Sequence, residues 1–210
     1  MLEINKLAPL NELENMSRRE RKKQETRWRI YRAAMQLFTR QGFDEVKIEA
    51  ICERADVSNA SFFHHFSGKA ALIGAYWDEL KEKIRAALED AGNVSSTEKL
   101  AIINAEVARS AKDTAAFTPQ LFNAIASGDK TIDMEHIDTG ITGTLTGIIR
   151  EGQEAGEFNK SWHPEVVAVN LAASWILLPL AMRSADFPAE PHQEILNMTL
   201  AGLGADPARR

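Results

Sequence analysis

Apolar residues recur along this chain at three- and four-residue intervals, and no stretch alternates in the manner of a strand. Between Glu25 and Arg40 the apolar positions are Ile30, Ala33, Ala34, Leu37 and Phe38, one face of a helix, and Gly42 follows as a stop. Ile48, Ile51 and Ala55 give one face of a short second helix. Asp56-Val57-Ser58 interrupts it, and Ser58 is a good N-cap for a third helix, Asn59 to Phe66, with Phe62 and Phe66 one turn apart. Ser67-Gly68 breaks that helix. From Lys69 to about Ala91 the stripe Leu72, Ile73, Tyr76, Leu80, Ile84, Leu88 predicts a long fourth helix.

The remaining pattern predicts helices from Thr97 to about Ala111, Phe117 to Ala126, Met134 to Ala155, Pro164 to about Ser184, and Glu194 to Leu203. Pro119 and Pro164 suit first turns, Gly156 suits a C-terminal stop, and Asp186 to Pro191 reads as a loop. The class is all-α. Val166 to Met182 is the longest apolar stretch, but Asn170, Ser174 and Pro179 interrupt it, so it reads as a buried or interface helix and not a membrane span.

With 210 residues, 44% hydrophobic and 26% charged, the chain is long enough for a sizeable core, and its composition is that of a globular protein. Its one cysteine, Cys52, rules out an internal disulfide and a multi-cysteine zinc site, and fits a reducing cytoplasm. Met1 to Met16 has acidic residues and no apolar run, so it does not read as a signal peptide. The net charge of −5 argues against nucleic acid until its distribution is read. Residues 1–69 carry +3 and residues 70–210 carry −8; within Ser17 to Arg32 the net is +6. Such a cluster suits phosphate contact through counterion release, and suits a solvated tail equally well.

Three helices with tight turns followed by a long one is the outline of a helix-turn-helix. The third helix would turn Asn59, Ser61, Phe63 and His64 toward a DNA major groove. The residues themselves go further. Ile30-x-x-Ala33-Ala34-x-x-Leu37-Phe38-x-x-x-Gly42-Phe43, Ile48-x-x-Ile51, Ala55-Asp56-Val57-Ser58 and Phe62-Phe63-His64-His65-Phe66-x-x-Lys69-x-x-Leu72 resemble the DNA-binding domain of the TetR family of transcriptional regulators. Further on, Glu151-Gly152-x-x-x-Gly156-x-Phe158 before Pro164 is similar to the family's ligand-binding and dimerisation region. The chain departs from the family in having Asp56 and Ala60 at usual Gly positions, Phe63 at a usual Tyr, Cys52 at a usual Ala, and Val46-Lys47 at a Thr-rich helix start. Asp tolerates the left-handed conformation, so the turn can survive.

The resemblance implies an N-terminal basic arm (1–24), a helix-turn-helix domain (25–69) and a helical regulatory and dimerisation domain (70–210) joined to it by the long fourth helix. It implies a dimeric, cytoplasmic regulator, a repressor released from a pseudo-palindromic double-stranded operator by a small-molecule effector. The DNA-contacting candidates are Lys47, Glu49, Ser58, Asn59, Ala60, Ser61, Phe63, His64, His65 and Lys69, with His65 and Lys69 on phosphates. The Ser17 to Lys23 arm either follows a flanking minor groove or solubilises. An effector pocket would draw on Trp77, Phe117, Leu121, Phe122 and Met134. A homodimer interface would draw on Gly140, Gly143, Gly147, Val167, Leu171, Trp175 and Leu178. No cofactor, metal set, catalytic triad or phosphate loop is visible in the sequence. Two other readings stand beside this one: a regulator controlled by a protein partner through its acidic region, and an all-α enzyme, which would need a polar constellation that the sequence does not display.

Overall fold

A computed structural model describes residues 17–114, 134–181 and 190–204. These residues form eight helices and no strand: α1 (Arg18–Gln41), α2 (Ile48–Ala55), α3 (Asn59–His65), α4 (Ala71–Ala91), α5 (Ser96–Thr114), α6 (Met134–Glu154), α7 (Pro164–Ala181) and α8 (Pro191–Gly202). The helix expected at Phe117 to Ala126 lies outside the described residues, as does the expected end of α7 at Ser184. No helix among the described residues is long and apolar enough to cross a membrane.

The first helix opens at Arg18, well before the Glu25 that apolar periodicity predicts, so the basic segment Arg18 to Lys23 is helical. The cause is a reciprocal cap. The Glu20 amide donates to Ser17 Oγ at 3.3 Å, and the Ser17 amide donates to Glu20 Oε2 at 2.8 Å. Two otherwise orphaned donors are thereby satisfied, and this start carries no hydrophobic signal.

The chain divides into two compact units, and the division between Lys83 and Ile84 falls inside α4. In the first unit the core is Ile30, Ala34, Leu37 and Phe38 of α1, Ile51, Cys52 and Ala55 of α2, Phe62 of α3, and Phe66, Leu72 and Ile73. Burial, then the nearby Glu49 carboxylate, raises the Cys52 thiol pKa, so it stays protonated and acts as a small core residue.

In the second unit Leu100, Ile103, Leu145, Ile149, Ala168, Leu171, Trp175 and Leu196 are buried. The Trp175 indole N–H donates to Asn104 Oδ1 at 3.1 Å inside this core. Glu157 reaches across to cap α5, accepting from the amides of Ser96 at 3.1 Å and Thr97 at 3.2 Å. His192, at the start of α8, is buried, and its Nε2 has no hydrogen-bond partner among the described residues. Burial holds this imidazole below its ordinary value of about 6.5. The unfolded chain therefore binds the proton first. Stability present above pH 6.5 is lost as pH falls through the depressed folded value. The urea midpoint is expected to drop between pH 7 and pH 5, and less so in His192→Phe; equal slopes in both proteins would exclude His192 as a cause.

Candidate nucleic-acid interface

The turn between α2 and α3 decides how α3 is presented. Asp56 closes α2 with φ 52° and ψ 57°, the only positive φ outside glycine among the described residues. Its amide donates to the Glu53 carbonyl at 3.2 Å, and the Val57 amide to the Cys52 carbonyl at 3.0 Å. The left-handed residue is thus the aspartate expected to tolerate it. Asp56→Gly is expected to stabilise the protein by about 1 kcal/mol without moving α3, read as a higher urea midpoint at constant m.

Ser58 then caps α3, its hydroxyl accepting from the Ser61 amide at 3.1 Å. Lys47 occupies the corresponding place before α2 and makes no side-chain cap, as the loss of the family's threonine implies. Along α3, Asn59, Ala60, Phe63 and His64 are exposed on one stripe, while Ser61 and His65 are half-buried at its flank and Phe62 is fully buried. Phe63 is 56% exposed, although its ring meets Phe62 edge-on at 5.3 Å. Lys47 and Glu49 are exposed at the start of α2.

His65 stacks edge-on against His64 at 5.2 Å. Burial first, and then the positive neighbours His64, Arg27 and Lys23, hold its pKa below the ordinary imidazole value. It is therefore neutral near pH 7 and can offer one N–H. Its backbone carbonyl accepts from Arg27 Nη1 at 2.9 Å, and the same guanidinium lies 4.4 Å from the centre of the Phe66 ring. Arg27 thus ties the C-terminal end of α3 to α1. Sequence reading counted it only as one charge of the basic cluster, because its partners are a carbonyl and a ring far along the chain.

Lys69 also differs from expectation. Its Nζ donates to the carbonyls of Phe43 at 2.7 Å and Asp44 at 3.3 Å, and sits 4.6 Å from the centre of the Phe43 ring. It lies before α4, not within it, and braces the α1–α2 turn instead of projecting a free charge. Lys69→Ala is expected to cost about 1–2 kcal/mol of stability and to weaken DNA binding without changing its salt slope. A slope falling by about 1 would instead restore a direct phosphate contact.

Of the proposed pocket residues, Trp77 is buried, and its indole N–H has no partner among the described residues. Phe117, Leu121 and Phe122 lie outside the described residues; Met134 begins α6, but its side chain is not described. Of the proposed interface residues, Leu171, Trp175 and Leu178 are buried within the second unit, and Gly140 and Val167 are half-buried. Gly143 and Gly147 are exposed, with open space where a Cβ would sit. Among the described side chains of α7, the exposed large apolar ones are Val166, Val169 and Leu177.

Residues 30–76 match the profile of bacterial regulatory proteins of the tetR family. Residues 30–76 thus form a TetR-type DNA-binding segment. UidR of Escherichia coli strain K12, an HTH-type transcriptional regulator, is 42% identical over 52 residues, which are 25% of this chain and 26% of UidR. The match thus spans about a quarter of that curated relative. Likeness of fold extends much further. A Rhodococcus sp. protein assigned to the TetR family covers 86% of this chain and 99% of its own at TM-score 0.70 and 17% identity. Thermus thermophilus FadR, a TetR-family transcriptional repressor solved in complex with lauroyl-CoA, covers 84% and 92% at TM-score 0.62 and 25% identity.

Proposed function

We propose that the chain is a dimeric, sequence-specific repressor whose two α3 helices enter successive major grooves of a pseudo-palindromic operator. The observation that carries this reading is the exposed stripe of α3, set on a capped, left-handed turn within the matched TetR segment. Asn59 and His64 offer hydrogen bonds to base edges, and Phe63 offers apolar contact to a thymine methyl. Lys47 and the neutral His65 take phosphates, positioning α3 without reading sequence. Arg27 and Lys69 brace α3 and the α1–α2 turn.

Dimerisation uses the outer faces of α6 and α7. Val166, Val169 and Leu177 recur at helical spacing, and Gly143 and Gly147 allow close approach of a second copy. The effector binds the second domain and favours a dimer whose α3 spacing no longer fits the operator, which requires tighter binding to that state. Lauroyl-CoA in the Thermus relative makes acyl-CoA thioesters the first effectors to screen.

The test is selection from a random duplex pool by the full-length protein at moderate salt. Enrichment of an inverted repeat with half-sites about 10 base pairs apart, centre to centre, supports the reading. Retention without an enriched sequence overturns it.

A further inference from the structure

A cationic groove in the first unit draws no residue from α3. An open groove of about 420 Å³ runs between α1 and α2, lined by Arg29, Arg32, Ala33, Gln36, Arg54 and Ala55. Three arginines line it, and no acidic residue does. Arg29 and Arg32 make no ion pair with any described residue, and Arg54 Nε donates to the neutral Gln36 Oε1 at 2.9 Å. Arg32 Nε is buried with no acceptor among the described residues. A buried donor without an acceptor is costly, and an oxyanion among three arginines relieves that cost.

The nearest acids by sequence are Glu25, one turn before Arg29, and Glu53 and Asp56 beside Arg54, and none lines the groove. Arg18, Lys22 and Arg29 recur at four- and seven-residue intervals along α1, so the positive edge continues along one flank of that helix. Planar guanidinium forks match the oxygens of a phosphoryl group in a bidentate manner, and several can engage one tetrahedral group from different sides.

We propose that this groove is a phosphate-binding site, with Arg29, Arg32 and Arg54 as its ligands. Its phosphate comes either from a phosphodiester of the duplex beside the operator or from a soluble phosphoanion. Binding of a soluble anion does not depend on the operator reading, so failure of one leaves the other testable.

The experiment uses the full chain and two readouts. Calorimetric titration with inorganic phosphate, at ionic strength fixed with chloride, reports the soluble source. The salt slope of duplex affinity reports the phosphodiester source. Arg29→Gln is the main variant because Arg29 is exposed and its loss leaves the core intact. Arg32→Gln removes the buried donor, and Lys69→Gln serves as a comparison outside the groove. Saturable phosphate binding that weakens about tenfold in Arg29→Gln and Arg32→Gln, but not in Lys69→Gln, supports the soluble source. A duplex salt slope reduced by about 0.9 in Arg29→Gln supports the phosphodiester source. No saturable phosphate binding together with unchanged slopes in folded Arg29→Gln and Arg32→Gln overturns the proposal.

Discussion

Gly152→Ala is expected to lower the melting temperature by about 4–10 °C, because of all the described glycines its added methyl meets the closest neighbours. A Cβ at this position would lie 2.4 Å from Phe158 Cδ2, 2.5 Å from Phe158 Cε2 and 2.9 Å from Ser96 Cβ. None of these atoms is free to retreat. Phe158 is buried, and its own amide donates to the Gly152 carbonyl at 3.1 Å, alongside the Glu157 amide at 2.8 Å. Ser96 opens α5 under the Glu157 cap. The methyl therefore pushes a ring, a helix start and a helix end apart at once, and overpacking of this kind costs about 1–3 kcal/mol. Shrinking the ring gives the decisive control. In Phe158→Leu the cost of adding Gly152→Ala is expected to fall by 1 kcal/mol or more, a coupling that contacting residues show. Strict additivity in that cycle would refute the steric account.

The same glycine shows what the sequence made legible. The spacing Glu151-Gly152-x-x-x-Gly156-x-Phe158 is visible in the sequence as a family resemblance, but the ring that excludes a Cβ is not. Gly156, with φ 76°, ends the turn as a helix stop, and that use follows from local rules. Local rules also placed α2, α3, the Ser58 cap and the left-handed Asp56, because each depends on neighbours within four residues. They missed what depends on distant partners. Arg27 bonds a carbonyl 38 residues away, and Lys69 bonds one 26 residues away. The charge count of a basic helix cannot separate a strut from a phosphate ligand. Periodicity likewise finds apolar positions but not which face of α7 the chain itself covers. In sequence Leu171, Trp175 and Leu178 read as core or interface; they are buried within the second unit, and the exposed Val166, Val169 and Leu177 are offset from them around the helix.

That offset fixes the second large prediction. If the chain dimerises through α6 and α7 as proposed, Val169→Glu is expected to give a monomer and to reduce operator affinity by about 100-fold or more. Val169 is 53% exposed in the single chain, so a glutamate there meets water and leaves the fold intact. In a two-fold interface the residue and its mate, or its mate's neighbours, become buried together, and an unpaired carboxylate is then trapped on each side. Loss of the dimer separates the two α3 helices, so each half-site binds alone and the effective concentration of the second is forfeited. Trp175→Ala should behave differently. Its indole is buried and bonded to Asn104, so the variant should lose stability in the monomer itself. Sedimentation equilibrium and duplex titration of both variants distinguish the two faces of α7. A Val169→Glu protein that remains dimeric and binds the operator undiminished would place the dimer interface elsewhere. A Trp175→Ala protein that is monomeric with an unchanged urea midpoint would return the interface to the residues that periodicity first marked.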